Sequence, residues 1–205
     1  MDNQDSRKIV PEQQVGSATN VEYTYAAASP QEARVVFEEA VKKLLDVNHW
    51  NDYAGKGTAD FTVIDMSGKE TEAPLQKGFY FKIDIPGPGT FAGDGFDWVQ
   101  VEAIDSSSNE AEDWESVAVR VRPTSNPTKQ GDDVAHFFSA DATSNFVVRR
   151  EKTNIIAGVY GRNEIPNTAA KNPVDKTRNA AIGLTAVSGA SSVQWNALVK
   201  AIIGK

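Results

Sequence analysis

The sequence contains no cysteine, which excludes disulfide bonds, thiolate nucleophiles and cysteine-ligated metal sites. Histidine is nearly absent as well: His49 and His136 are the only two, and they lie far apart along the chain. Neither belongs to an H-x-x-E-H or H-x-H pattern, so the sequence offers no zinc signature. We therefore expect neither a metal nor an organic cofactor.

Long apolar runs are also missing at the start. Met1 to Gln14 is polar and charged, which predicts neither a signal peptide nor a transmembrane helix. The 28 acidic residues outnumber the 21 basic ones, and a formal net charge of −7 opposes binding to nucleic acid or to an anionic membrane. The expectation is a cytoplasmic protein with no nucleic-acid partner and no membrane insertion, whose oligomeric state the sequence leaves open.

Signatures of catalysis are absent too. The loop Pro86–Gly93 is rich in glycine, but it fits neither G-x-G-x-x-G nor the P-loop spacing, and it reads as a hairpin loop. No G-x-S-x-G nucleophile elbow occurs, and the carboxylates of Glu110–Glu115 form a solvated charge run. Whether the protein is an enzyme stays undecided at this point.

A length of 205 residues with 40% hydrophobic and 24% charged residues is that of an ordinary globular chain with a sizeable core. Residues 1–18 carry little apolar content and predict a flexible polar tail. No linker or internal repeat divides the remainder, so residues 19–205 are expected to form a single domain.

The clearest local signal is a capping box at Ser29-Pro30-Gln31-Glu32, in which proline occupies the first helical position. Apolar residues then recur at helical spacing through Leu45, opposite a charged face. The pattern predicts an amphipathic helix over residues 30–49, closed by the His49–Tyr53 segment and the glycines that follow.

Beyond this helix, hydrophobic residues alternate with polar ones at strand spacing. The strands expected after a first short run at Val21–Ala27 are Ala59–Asp65, Phe79–Ile85, Phe96–Asp105, Ser116–Arg122, Ala135–Ser139, Thr143–Arg150 and Asn154–Arg162. Short turns join them, which favours an antiparallel meander. The alternation places Arg120 and Arg122 on the face away from the core.

The C-terminal part is expected to be helical from Asn172-Pro173 onward, with a break at Gly189. Ser191 with Gln194 forms a second capping box, which opens an apolar stripe running to Ile203.

This order of elements, the HWNDYAG turn at residues 49–55 and the closing segment Gln194–Val199 resemble the START / polyketide-cyclase / Bet v 1-like superfamily. The resemblance implies an α+β helix-grip fold: a curved antiparallel sheet of six to seven strands wrapped around a long C-terminal helix, with an amphipathic helix after the first strand. Members bind lipids, sterols, polyketides or aromatic compounds in a hydrophobic cavity, some catalyse cyclisation or dehydration there, and others act as partners of chaperones. No catalytic motif is shared among members, so the resemblance assigns no catalytic residue.

The small residues of the C-terminal segment give an independent reason to expect a cavity. Residues 180–190 include four alanines and two glycines, which cannot fill a concave sheet with bulk. They either leave a void of the kind that binds ligands or let the helix approach the strands closely without one.

Three functions follow as hypotheses. The first is binding of a hydrophobic or amphipathic small molecule, with candidate lining residues Trp50, Tyr53, Phe81, Trp98, Glu102, His136, Tyr160, Arg162 and Trp195. The second is a cyclase- or dehydratase-type enzyme in the same cavity, using Glu102, His136, Tyr160 and Arg162. The third is a protein-interaction module with an exposed patch at Phe91, Phe96 and Trp98, or at Trp114. Against these stand ordinary core packing for the aromatic residues and an ion pair with Glu164 for Arg162.

Overall fold

The computed structural model describes residues 9–55, 59–186 and 191–205. The elements, in chain order, are β1 (Ser17–Ala26), α1 (Pro30–Leu45), a 3₁₀ turn (Val47–His49), α2 (Trp50–Ala54), β2 (Asp60–Ile64), β3 (Tyr80–Asp84), β4 (Asp97–Asn109), β5 (Trp114–Pro123), β6 (Thr143–Glu151), β7 (Asn154–Glu164), α3 (Pro173–Thr185) and α4 (Ser191–Ile203).

The seven strands form one antiparallel sheet in the order β1-β7-β6-β5-β4-β3-β2. Strands β2 to β7 follow one another as a meander, and β1 adds to the far edge beside β7. The predicted α+β class and helix-grip order are confirmed: a first strand, an amphipathic helix, an antiparallel sheet and C-terminal helices packed across it. No helix in the described ranges is long and apolar enough to cross a bilayer.

Helix α1 begins as the capping box predicts. The Glu32 amide donates to Ser29 Oγ at 3.2 Å, but the Glu32 carboxylate reaches back to the Ala28 amide, at 2.9 Å, rather than to that of Ser29. Its other oxygen accepts from the Tyr25 hydroxyl at 2.7 Å, so one side chain joins β1 to the helix. The α-helix ends at Leu45, four residues before the predicted end, and a 3₁₀ turn follows.

The core lies between the helices and one face of the sheet, called here the inner face. Strand residues such as Phe81 in β3 and Val121 in β5 point into it, and α1 and α4 contribute Leu44 and Leu198. Arg120 and Arg122 lie on the opposite, outer face, as the alternation predicted. The period of two in the strands therefore sets which face is buried.

The strand expected at Ala135–Ser139 does not form, apart from an isolated bridge between Phe138 and Pro166. Side chains satisfy the backbone amides that a neighbouring strand would otherwise bind. The Phe137 amide donates to Asp97 at 2.9 Å, and the Phe138 amide donates to His136 Nδ1 at 2.9 Å. The segment is thereby held in an irregular path beside the sheet.

The described C-terminal region contains the helices α3 and α4. Helix α3 begins where expected, because Asn172 caps it by accepting from the Val174 amide at 2.8 Å. The predicted break at Gly189 and the side chain of Ser191 lie outside the described residues. Gln194, expected in a capping box with Ser191, accepts instead from the Ala59 amide at 3.4 Å.

Two parts of the expected polar tail contact the sheet. Ile9 is buried beside Ala118, Val147 and Tyr160 on the outer face, and β1 already begins at Ser17. The flexibility of the tail stays a prediction. Residues 1–8 lie outside the described part of the chain, and the single-domain boundary stays a prediction.

Candidate functional site

A pocket of about 240 Å³ lies between the inner face of the sheet and the helices α3 and α4. Five strands supply its apolar floor, because their alternation turns every second side chain to this face. The main contributors are Phe61, Phe81, Val99, Val121 and Phe146, with Trp195 of α4 opposite them.

Aromatic rings form much of the wall. Trp195 packs edge-on against Phe146, with ring centroids 5.6 Å apart, and tilted against Phe61 at 6.3 Å. At the other side His136 stacks on Phe137 at 4.3 Å. Such contacts hold the rings in fixed orientations and favour a preformed pocket.

His136 lines the pocket as a neutral hydrogen-bond donor. Its Nδ1 accepts from the Phe138 amide, which places the ring proton on Nε2. Burial lowers the pKa of His136 to about 4, and nearby Arg178 acts in the same direction, while Asp97 opposes both. At neutral pH the imidazole is therefore uncharged and presents an N–H group.

Glu164, the last residue of β7, is the carboxylate of the pocket and is only 7% exposed. Thr19 Oγ1 donates to its Oε2 at 2.8 Å. Its Oε1 lies where a side chain on Gly161 would stand, so the missing Cβ at Gly161 makes room for the carboxylate. Burial raises the pKa of Glu164, since loss of water disfavours the charged form.

Helix α3 is held over the pocket by buried charges. Arg178 forms an ion pair with Asp97 at the start of β4 and also donates to the Pro88 carbonyl at 2.7 Å. Asp175 accepts from the amides of Phe91 and Ala92, at 2.8 and 3.1 Å. These contacts lie in the first turns of α3, and its last turn, with Ile182 and Thr185, closes one side of the pocket.

Of the nine predicted lining residues, the structure places Phe81, His136 and Trp195 at the pocket. Trp50 lies behind the pocket wall, 1% exposed, and contacts the rings that form it; its indole N–H donates to the Lys43 carbonyl at 3.1 Å. Tyr53 lies away from the pocket and donates to Asp46, which raises the pKa of Tyr53 to about 12. The sequence places both aromatic residues near the end of the first helix, but it does not show which way their side chains point.

The remaining four lie on the outer face of the sheet. Trp98 packs with Ile64 and Ala135, and its indole N–H donates to the Gly93 carbonyl at 3.0 Å. Glu102 pairs with two outer-face arginines, Arg120 and Arg122. The strand period explains this placement, because Trp98 and Glu102 alternate with Val99 and Val101 ahead of the register shift that follows Val101.

Tyr160 and Arg162 share that outer face. The Tyr160 hydroxyl donates to Glu22, and Arg162 donates to the carbonyls of Thr19 and Gly161, at 3.2 and 2.7 Å, rather than pairing with Glu164. The polar residues considered for an enzyme therefore do not converge: His136 alone of the four reaches the pocket.

The aromatic surface patch also fails to form as expected. Phe91 is 62% exposed, but Trp98 is buried and Phe96 and Trp114 are half-buried. Among the described residues, no group of three or more His, Asp or Glu side chains is arranged to hold a metal ion.

Sequence reasoning did not assign Glu164 to the pocket, and treated it only as a partner for Arg162. The inward position of Phe61 could have been predicted, since it alternates with Asp60 and Thr62 in a predicted strand. Phe146 also lies in a predicted strand, but Val147 and Val148 follow it, so alternation does not assign its face. The Phe137–Phe138 pair was hidden by the incorrect strand assignment for residues 135–139.

No protein-family model matches the sequence, and a search of curated proteins finds no match. Solved structures with a similar chain path include truncated norcoclaurine synthase from Thalictrum flavum, with 12% identity over 95% of this chain and 99% of that one and a TM-score of 0.40. Ara h 8.0201 has 12% identity over 92% and 100% of the two chains, with a TM-score of 0.36. The protein Ms6760 from Mycobacterium smegmatis has 13% identity over 91% and 95%, with a TM-score of 0.37. These values concern the path of the chain and carry no information about a ligand.

Proposed function

We propose that this protein binds a small, largely apolar molecule in the pocket between the sheet and helices α3 and α4. The observation that carries the proposal is the lining: most of the residues around the space are aliphatic or aromatic, with a few polar groups such as His136 and Glu164 among them. A concave apolar site with a small number of placed polar groups is the usual form of a small-molecule site.

The volume of the pocket limits the size of the ligand that it can hold. A volume of about 240 Å³ exceeds the ~150 Å³ cavity that holds benzene, and it falls below the ~300 Å³ at which drug-sized sites begin. The proposed ligand is therefore a molecule of one ring or two fused rings, rather than a sterol or a long-chain lipid.

Binding is preferred to the two alternatives on the positions of the polar and aromatic residues. A cyclase or dehydratase would need convergent acid and base groups, and Glu102, Tyr160 and Arg162 lie across the sheet from His136. An interaction module would need a contiguous apolar surface, and Trp98 is buried. A cytoplasmic location and the lack of a nucleic-acid partner stay predictions from composition.

The test is a titration with ethylbenzene, indole and naphthalene, followed by amide chemical shifts in ¹H–¹⁵N spectra. We expect saturable shifts that map to the residues around the pocket. Val121→Phe places a ring inside the pocket and should abolish the shifts. Val35→Phe is the matched control, because Val35 is 50% exposed on α1. Absence of saturable binding in the wild type, or equal binding in Val121→Phe, contradicts the proposal.

A further inference from the structure

The described lining of the pocket contains an acidic side chain and no basic one, while Arg162 and Arg178 lie close behind the lining residues. Glu164 is the acidic residue of the lining, and no lysine or arginine occurs among the described lining residues. His136 does not supply a positive charge, because its buried ring is neutral at ordinary pH and presents Nε2–H. A carboxylate in an otherwise apolar space produces a negative electrostatic potential there, which attracts a cation.

The carboxylate of Glu164 is only half satisfied. Oε2 accepts from Thr19, whereas no described residue donates to Oε1, which is not itself fully buried although Glu164 as a whole is only 7% exposed. The nearest cation, Arg162, directs its guanidinium to the carbonyls of Thr19 and Gly161. A ligand that carries a donor can therefore bind this accessible acceptor inside a mostly apolar pocket, where a charge-assisted hydrogen bond is strong.

A further feature of the pocket is compatible with a positive charge. The rings of Phe146, Phe61 and Trp195 line the space, and aromatic π systems attract cations that lie over them. The carboxylate and the rings come from different elements and act in the same direction.

We propose that the ligand of this pocket carries a protonated amine, which forms an ion pair with the Glu164 carboxylate while its apolar body lies among the aromatic side chains. This inference rests on the proposed function and names the chemical class of the ligand. The ammonium donates to Oε1, the oxygen that lacks a donor, and Thr19 continues to hold Oε2. Pairing restores the charged form of a carboxyl group whose pKa burial has raised.

The experiment compares benzylamine, benzyl alcohol and ethylbenzene, three molecules of nearly equal shape that end in an ammonium, a hydroxyl or a methyl group. Calorimetry or amide chemical shifts give the affinity of each for the wild type, Glu164→Gln and Glu110→Gln. The last variant is the matched control, because Glu110 is exposed in the turn between β4 and β5. Thermal unfolding of each variant checks that it is folded.

We expect the wild type to bind benzylamine about tenfold more tightly than ethylbenzene, the value of a charge-assisted hydrogen bond. Glu164→Gln should remove this preference, so that benzylamine and ethylbenzene bind with similar affinity, and Glu110→Gln should keep the wild-type preference. If Glu164→Gln does not fold, Glu164→Asp keeps the charge, and a retained preference for the amine supports the inference.

Two outcomes overturn it. If ethylbenzene binds in the pocket but benzylamine binds no better, or if the preference survives in Glu164→Gln, the amine inference fails while the proposed function stands. If none of the three probes produces saturable shifts at the pocket, both fail.

Discussion

The guanidinium of Arg178 in α3 and the carboxylate of Asp97 at the start of β4 form a bidentate ion pair that is almost fully buried. Nη1 lies 3.0 Å from Oδ1, Nη2 contacts Oδ2, and the two side chains are 4% and 0% exposed. Asp97 also accepts from the Phe137 amide, whose residue lines the pocket. One pair therefore links the helix above the pocket, a central strand and the irregular wall segment.

The first prediction concerns this pair. Arg178→Met leaves the carboxylate of Asp97 buried without its cation, and we expect the free energy of unfolding to fall by about 3–5 kcal/mol. Chemical denaturation at neutral pH measures this change. The double variant Arg178→Met/Asp97→Leu should be more stable than the single variant, since it removes the buried charge altogether.

The control for this experiment is Arg34→Met. Arg34 is 60% exposed, and its guanidinium lies 3.7 Å from Asp113, so its removal should change stability by less than about 0.5 kcal/mol. A loss of similar size in Arg178→Met and Arg34→Met would contradict the structural role of the buried pair.

The second prediction concerns the pH dependence of stability. The pKa of His136 is about 4 in the folded protein and about 6.5 when unfolded, so the unfolded state binds a proton first as the pH falls. Stability should therefore decrease between pH 6.5 and pH 4, by at most about 3 kcal/mol from this residue, and the contribution should level off below pH 4.

The measurement is urea unfolding across that pH range for the wild type and for His136→Gln. The difference between their free energies of unfolding gives the contribution of His136, because Glu164 and the other carboxyl groups are present in both proteins. His49→Gln is the control. Asp46 raises the pKa of His49, so its contribution is complete below pH 6.5 and declines only above that value. If the free energy of unfolding of His136→Gln falls with pH as steeply as that of the wild type, another group is responsible for the pH dependence.

The third prediction separates the roles of Trp50 and Trp195, two of the three tryptophans proposed from the sequence as ligand contacts. Trp50→Phe removes buried volume and the hydrogen bond to Lys43, and should lower stability by about 1–3 kcal/mol without changing the affinity for ethylbenzene. Trp195→Phe should reduce ligand binding by about 0.5–1 kcal/mol, because Trp195 lines the pocket.

Denaturation and ligand titration on both variants measure the two effects. A loss of affinity in Trp50→Phe equal to that in Trp195→Phe would show that the space extends past Phe61 and Phe81 to the Trp50 ring, contrary to the observed lining.

Local chemistry determined much of the fold in advance. The capping box at Ser29–Glu32 identified the start of α1, and Asn172-Pro173 that of α3, because a cap needs only a side chain and the amides of the next turn. Alternation in β3 and β5 predicted the buried face, because the strand period is a property of the backbone itself.

The sequence by itself determined the α+β class, the order of the elements and the inner face of the strands, since each depends on neighbours a few residues apart. Only the tertiary structure decided which residues share the pocket. Glu164, His136 and Trp195 come from β7, an irregular segment and α4, and the pairing of distant segments brings them together. Tyr160, Arg162 and Glu164 would share one face by simple alternation, but a register shift opposite Ser17–Thr19 and a positive φ of 56° at Asn163 separate Glu164 from the other two. Such choices depend on register and on the path of loops, which no local pattern encodes.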